Sequence, residues 1–511
     1  MGPCSKGRSH TYFQTGGAEM NDLFDGFDGS SEDSRKKIRE SKFVNAPGIG
    51  ADEAAQVVPS SLLVPEGDLP PGIRPQPGRR KSFRKIWTGD PAADATEETV
   101  FNGRFIKGRI TGFDAARGFA LIGMVAVHTL PSWSPQNYEP TLTWILFAGH
   151  SAALFAVLAG VSLALISGGK SPHTGRRLRR DRVQIVVRAL LILVIGMTIN
   201  FINIPAFNIL QYYGLMFLFA VPFPRLSVRK LLLASFLTAV VGPAAAFFVN
   251  ANLDYEVIYN ATPLDLLVDP FDTFWTLLVG GTYPVVTWMA FVFLGMAVGR
   301  MDLSVLRVQI RLGTAGALCA FISSLSADIL LNFLGGWDRL LQRTPDLTGS
   351  DLLDILDYGP QDNSFMPTST LWWLTVNAPH ADTFFSLTKS AGLALVAICV
   401  FLVWSRANPG ILLPLMNAGA MTFTLYVAHL IVLSTIDTAR FPGLWFAIQI
   451  SVMLVFAYFW SQAQQRGPVE SIISWTTKSA GKAFVPDKAA PGPEPEGPKQ
   501  KKGSRGGKHH R

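Results

Sequence analysis

Long apolar runs separated by short polar stretches fill the middle of the chain. Runs near the roughly 20 residues that a spanning helix needs are centred at residues 121, 155, 193, 214, 240, 286, 322, 394, 424 and 452, about ten in all. The pattern predicts an all-α fold, a polytopic membrane helix bundle of about ten transmembrane helices with disordered cytoplasmic tails. An even number of spans returns the chain to its starting side. In the sixth run, Gly280-Gly281-Thr282-Tyr283-Pro284 predicts a break or kink, tolerated in a membrane only where protein or water covers the freed backbone groups.

The apolar period is missing at both ends. Residues 1–108 are rich in Gly, Ser, Pro and charge and read as a disordered N-terminal tail. They hold no apolar signal-peptide core, and Met1-Gly2-Pro3-Cys4-Ser5-Lys6 lacks the hydroxyl that myristoylation favours at its sixth position. Residues 477–511, basic and Pro-rich, read as a second solvated tail. The membrane domain is then 109–476. Asn260-Ala261-Thr262 matches a glycosylation sequon, a pattern too short to weigh much.

Composition agrees with the pattern: 49% hydrophobic and 16% charged residues, with a mean hydropathy of +0.27, exclude an average soluble globule. The net charge of +8 adds sidedness and does not point to nucleic acid. Lys170 and Arg176 to Arg182, then Arg225 to Lys230, then Arg300 to Arg311 stand in alternate loops, which makes those loops cytoplasmic. The stretches 251–272 and 336–383 are instead acidic, including Asp351, Asp354, Asp357 and Asp362, and read as extracytoplasmic. Both termini are then cytoplasmic. Cys4, Cys319 and Cys399 form no disulfide framework.

Ionisable groups on apolar spans cost from about 2.5 kcal/mol upward, so each is a functional candidate by default. The first span carries Asp114, Arg117 and His128. A helical rise of about 1.5 Å per residue puts Arg117 and His128 roughly 16 Å apart, half the bilayer core. Arg117 then lies at the cytoplasmic face and His128 near the external one. Each has a plain alternative: Arg117 as a positive-inside anchor, Asp114 as the helix N-cap, His128 as an interfacial polar residue. The functional reading of His128 is a general base, because imidazole titrates near neutral pH. His429 follows Tyr426 by three residues, on the same helix face and at a depth like that of His128. Its alternative is a lone interhelical hydrogen bond. Asn200, Asn203, Asn208, Gln211, Tyr212 and Tyr213 interrupt the third and fourth spans, through bundle packing or a wet cavity at the outer end.

The spacing of Arg117 and His128 behind Phe113-Asp114 resembles the first-helix motif of acyltransferase family three, and Thr424-Leu425-Tyr426-Val427-Ala428-His429 is similar to that family's late Tyr-x-x-His segment. Leu154 to Gly160, Asn208 to Leu215 and Gly467-Pro468-Val469-Glu470 resemble YeiB-like proteins and the related heparan-alpha-glucosaminide N-acetyltransferase fold. Together these stretches resemble the transmembrane acyltransferase superfamily over residues 110–475. One feature departs: the acetyltransferase's catalytic His precedes the second span, whereas no His stands near Glu139 and His150 lies inside the span. The departure makes His128 the expected base.

The resemblance implies an integral protein of the bacterial plasma membrane. It would move an acyl group, acetyl above all, from cytoplasmic acyl-CoA to a hydroxyl or amine of an extracytoplasmic glycan or glycolipid. Acetyl-CoA or another acyl-CoA is then a co-substrate, with no permanently bound cofactor and no metal. Arg117, with Asp114 beside it, Arg182 and Arg188 would hold the CoA phosphates. His128 would deprotonate the acceptor, and His429 or Tyr426 would stabilise the oxyanion or protonate the thiolate. Asn200, Asn208, Gln211 and Tyr212 would face the acceptor. Membrane lipids, acyl-CoA and the acceptor are the expected partners. The rival reading is a transporter or lipid flippase, since a broken helix and midplane polar residues also serve alternating access. A non-catalytic scaffold leaves Arg117, His128 and His429 unexplained.

Overall fold

The computed structural model describes residues 99–101, 104–106, 110–360 and 365–486. The rest of both expected tails, Cys4 and Asp362 lie outside the described residues. Two short strands, β1 (Thr99–Phe101) and β2 (Arg104–Ile106), pair antiparallel within the stretch read as the N-terminal tail. From Thr111 onward the elements are helices. The first group is α1 (Thr111–Thr129), α2 (Leu142–Phe147), α3 (His150–Ile166), α4 (Gly175–Ile199) and α5 (Leu210–Ala220). Next come α6 (Val228–Asn252), α7 (Asp265–Val268), α8 (Pro270–Trp275) and α9 (Val285–Arg300). α10 (Leu306–Asn332) leads into the short α11 (Gly336–Arg343) and α12 (Gly349–Tyr358). The last group is α13 (Phe384–Ala407), α14 (Leu413–Gly419), α15 (Thr422–Thr435), α16 (Pro442–Ala463) and α17 (Pro468–Phe484). α17 runs past the boundary drawn at residue 476.

The chain forms the all-helical membrane bundle expected. Among the described residues, six helices are long and apolar enough to cross a membrane, and eight if each of two bent pairs is one span. One bent pair, Pro270–Gly280 with Val285–Arg300, turns by 50° at the Gly-Gly-Thr-Tyr-Pro segment. A π-helical turn, Thr276–Gly280, precedes that break. The other pair, Leu413–Gly419 with Thr422–Thr435, turns by 81°. The two remaining expected spans fall outside a count made by helix length and composition. α5 has 11 residues, about 16 Å of helix. α1 carries Asp114 and Arg117, and 14 of its 19 residues are buried, so it is shielded by protein along most of its length.

Helices α3, α13 and α14 pack around α1, which makes it the centre of the fold. α6, α10 and α16 turn large apolar side chains outward, among them Phe236, Phe321 and Phe459, the surface expected of helices that face lipid.

At the end of the bundle that carries the basic loops, Arg300 locks two connections together. Its guanidinium donates to the carbonyls of Ala164 (3.1 Å) and Gly169 (2.5 Å), to Ser167 Oγ (2.8 Å) and to the Pro224 carbonyl. At the acidic end, Leu331, Leu340, Leu352, Val376 and Trp373 form a separate small core.

Candidate active site

A cavity of about 610 Å³ lies between α1, α3, α4, α5, α15 and α17, within the roughly 300–1,000 Å³ usual for small-molecule sites. Arg117, Arg188 and Arg466 line it together with Asp114 and Glu470, and Met124, Tyr213 and Tyr426 line it as well. Three guanidinium groups facing one volume repel each other, so the site favours an anion that answers them.

Local structure explains how Arg117 is held. α1 begins at Thr111 behind Ile110, which makes no side-chain cap. Asp114 therefore lies inside the first turns, where it cannot be the N-cap expected from the sequence. Its Oδ1 accepts from Arg117 Nη1 at 2.8 Å, an i,i+3 pair on one helix face. Arg117 Nη2 donates to Ser162 Oγ on α3 at 2.7 Å. α14 closes over this turn at backbone contact: a Cβ on Gly419 would collide with the Asp114 carbonyl oxygen.

Met124 is the last cavity-lining residue of α1, and His128 follows one turn later on the same face. Tyr426 lines the cavity from α15, and His429 follows it by one turn. The two imidazoles meet there: His128 Nδ1 and His429 Nε2 are 3.1 Å apart, with ring planes within 2° of parallel. His429 Nδ1 lies 2.7 Å from Gln449 Oε1 on α16. His429 is therefore part of a chain of polar groups, which a lone interhelical hydrogen bond is not. His429 is fully buried, whereas His128 is half-buried.

α15 begins at the sharp bend after α14, and Glu470 of the Gly-Pro-Val-Glu segment supports that start. Glu470 Oε1 accepts from the backbone N–H groups of Phe423 (2.7 Å) and Thr424 (3.2 Å), and Oε2 accepts from Thr424 Oγ1 at 2.5 Å. A carboxylate at a helix N-terminus satisfies free donors and complements the dipole. Glu470→Ala should therefore lower stability by about 1–2 kcal/mol and Glu470→Gln by less, read as shifts in Tm in detergent. An unchanged Tm for Glu470→Ala would remove this capping role.

The other expected site residues are placed differently. Arg188 reaches the cavity, but Arg182 does not: its Nη2 donates to the Pro222 carbonyl at 3.2 Å. Asn200, Asn208, Gln211 and Tyr212 are buried off the cavity wall. Asn200 Nδ2 donates to Gln211 Oε1 (2.9 Å) and to the Ala261 carbonyl (2.8 Å), and Asn208 Nδ2 donates to Asn200 Oδ1 and the Gly196 carbonyl, each at 2.8 Å. These amides tie the α4–α5 connection to the loop after α6, the packing alternative left open by the sequence. Asn260 of the sequon donates to the Ile204 and Ala206 carbonyls, so its amide also serves the fold.

Four polar residues not singled out from the sequence enter the picture: Ser162, Arg466, Gln449 and His380. His380 and Asp382 flank Ala381 just before α13, both with left-handed backbone, φ +54° and +53°. They line a second cavity of about 40 Å³. Burial pushes His380 down to about 4 and the Asp382 carboxyl well above the usual carboxylate range. Asp382 Oδ1 accepts from Trp288 Nε1 at 2.7 Å. His128 and His150 lie within electrostatic reach of His380. Among the described residues no group of three or more His, Cys, Asp or Glu side chains is placed to hold a metal ion.

No curated protein is similar enough to the chain to count as a relative. Residues 109–332 match the family model described as heparan-alpha-glucosaminide N-acetyltransferase, catalytic. The match takes in α1 to α10, hence Arg117, His128, Ser162 and Arg188, and ends before Tyr426, His429, Gln449 and Arg466. Over these residues the chain is similar to that catalytic domain, and the match supports a heparan-alpha-glucosaminide N-acetyltransferase-like transmembrane acyltransferase.

Proposed function

We propose that the protein transfers an acyl group from acyl-CoA, held in the large cavity from the cytoplasmic side, to a hydroxyl or amine of a glycan or glycolipid that arrives from the opposite face. The observation that carries this reading is the alignment of the cavity with the histidine pair. Three arginines stand at one end, and the wall ends at Met124 and Tyr426, each one turn short of an imidazole. The CoA phosphates are anionic and suit the arginines, since guanidinium groups grip phosphate through charge-assisted hydrogen bonds. The slim pantetheine arm fits the apolar stretch between Phe155, Ile192 and Tyr213. His128 takes the acceptor proton, the acceptor heteroatom bonds to the acyl carbon, the carbon–sulfur bond breaks, and the proton goes to the leaving thiolate. The loops at the arginine end carry the basic residues, which is the cytoplasmic signature.

The two bent helix pairs also suit a transporter. Titration of purified protein in lipid nanodiscs with acetyl-CoA separates the readings. Acetyl-CoA should bind saturably, and Arg188→Ala should weaken binding by roughly tenfold or more, the loss expected for one hydrogen bond to a charged group. Arg117→Lys should keep part of the affinity that Arg117→Ala loses, because lysine keeps the charge without the planar fork. Absence of acetyl-CoA binding to the wild-type protein would return the transporter reading.

A further inference from the structure

We propose that Gln449 is a positioning residue that sets the direction of the proton in the His128–His429 pair and thereby leaves His128 Nε2 as the basic nitrogen. The inference rests on the reading of His128 as the base and names the group that makes it one.

Two neutral imidazoles joined nitrogen to nitrogen at 3.1 Å share one proton, which belongs to His128 Nδ1 or to His429 Nε2. The two choices have opposite chemistry. If His429 Nε2 carries the proton, His128 Nδ1 accepts it, and the far nitrogen of His128 bears a hydrogen and cannot act as a base. If His128 Nδ1 carries it, the far nitrogen, Nε2, keeps its lone pair. Nothing within the pair decides between them.

Gln449 decides. Its Oε1 lies 2.7 Å from His429 Nδ1 and is an acceptor, so His429 Nδ1 must carry the hydrogen. A neutral imidazole has one N–H, so His429 Nε2 is then the acceptor and His128 Nδ1 the donor. Gln449 Nε2 faces Thr129 Oγ1 at 3.4 Å, on the residue next to His128. Gln449 and His429 are both buried, so no bulk water competes for these bonds. The relay from Gln449 through His429 to His128 thus runs from α16 through α15 to α1. When His128 Nε2 takes the acceptor proton, the imidazolium keeps Nδ1–H on His429 Nε2. The proton then leaves from Nε2 to the thiolate sulfur, and the pair returns to its starting form.

The test reads the tautomer directly. The protein is labelled with ring-¹⁵N histidine, placed in nanodiscs without substrate, and assigned by comparison with His128→Gln and His429→Gln. In the wild type, His128 should show a protonated Nδ1 and a bare Nε2, and His429 likewise. Gln449→Glu keeps an acceptor facing His429 Nδ1 and should keep the hydrogen on that nitrogen. Gln449→Leu should lose the fixed pattern and lower kcat by roughly a hundredfold, with little change in KM for acyl-CoA, as expected when a general base is misdirected. A wild-type His128 with hydrogen on Nε2 overturns the proposal, and so does an unchanged pattern in Gln449→Leu. Because the spectra need no substrate, the tautomer result stands apart from the acyltransferase reading: absent acetyl-CoA binding would defeat the latter alone.

Discussion

Replacing His128 with alanine should reduce acyl transfer by roughly a hundredfold to ten-thousandfold, the usual range for losing a general base. The fold should survive. His128 is half-buried in the last turn of α1 and its ring pairs with His429 near the helix end, so its removal opens little volume in the core. Acetyl-CoA binding should stay within about twofold, because the cavity wall ends at Met124, one turn away. His429→Ala should also be impaired, and the double variant His128→Ala, His429→Ala should be little worse than His128→Ala alone, since residues that act as a unit are strongly non-additive. The measurement is transfer of labelled acetyl groups from acetyl-CoA to total envelope glycolipid in membranes containing each variant, normalised to inserted protein. Turnover above one tenth of wild type in a correctly inserted His128→Ala protein would remove His128 from the chemistry.

The sequence made visible those parts of the fold and site that rest on one kind of contrast, a polar group standing in an apolar run. Arg117, His128, Tyr426 and His429 were found that way, and the structure brings the two histidines together from helices 301 residues apart. Gln449 obeys the same rule, as an amide between Ile448 and Ile450 in the last spanning helix, and Ser162 does so less strongly between Val161 and Leu163. Arg466 stands directly before the Gly-Pro-Val-Glu segment but in a polar turn, where a basic residue gives no contrast. His380 lies in a loop whose path is set by tertiary contacts. Helix length and composition single out six to eight spans where the apolar runs number ten, because an apolar run is the same signal whether lipid or protein covers it. α1 satisfies the run and is buried, and α5 satisfies it but is too short. Asn200, Asn208 and Gln211 illustrate the opposite limit. A buried amide reads the same in a cavity wall as in a hydrogen-bonded joint, and only the partners, Ala261 and Gly196 among them, distinguish the two.

Labelling from one face at a time should give an all-or-none result, and the proposed mechanism depends on it. Ser171 is exposed in the basic connection between α3 and α4, and Ser350 is exposed at the start of α12 in the acidic loop. With Cys4, Cys319 and Cys399 replaced, Ser350→Cys should react with an impermeant maleimide in intact cells, whereas Ser171→Cys should react only after lysis. The expectation rests on the basic residues beside Ser171, since loops rich in Lys and Arg tend to stay on the cytoplasmic side, and on the acidic character of residues 336–383. It matters to the proposed transfer because Arg117 and His128 lie roughly 16 Å apart on one helix, so a donor gripped at one and an acceptor deprotonated at the other would approach from opposite faces. On the proposed reading a membrane-impermeant CoA thioester enters at the arginine end. If Ser171→Cys labels in intact cells and Ser350→Cys does not, the arginines face outward, where no acyl-CoA is supplied, and transfer from a cytoplasmic donor is excluded.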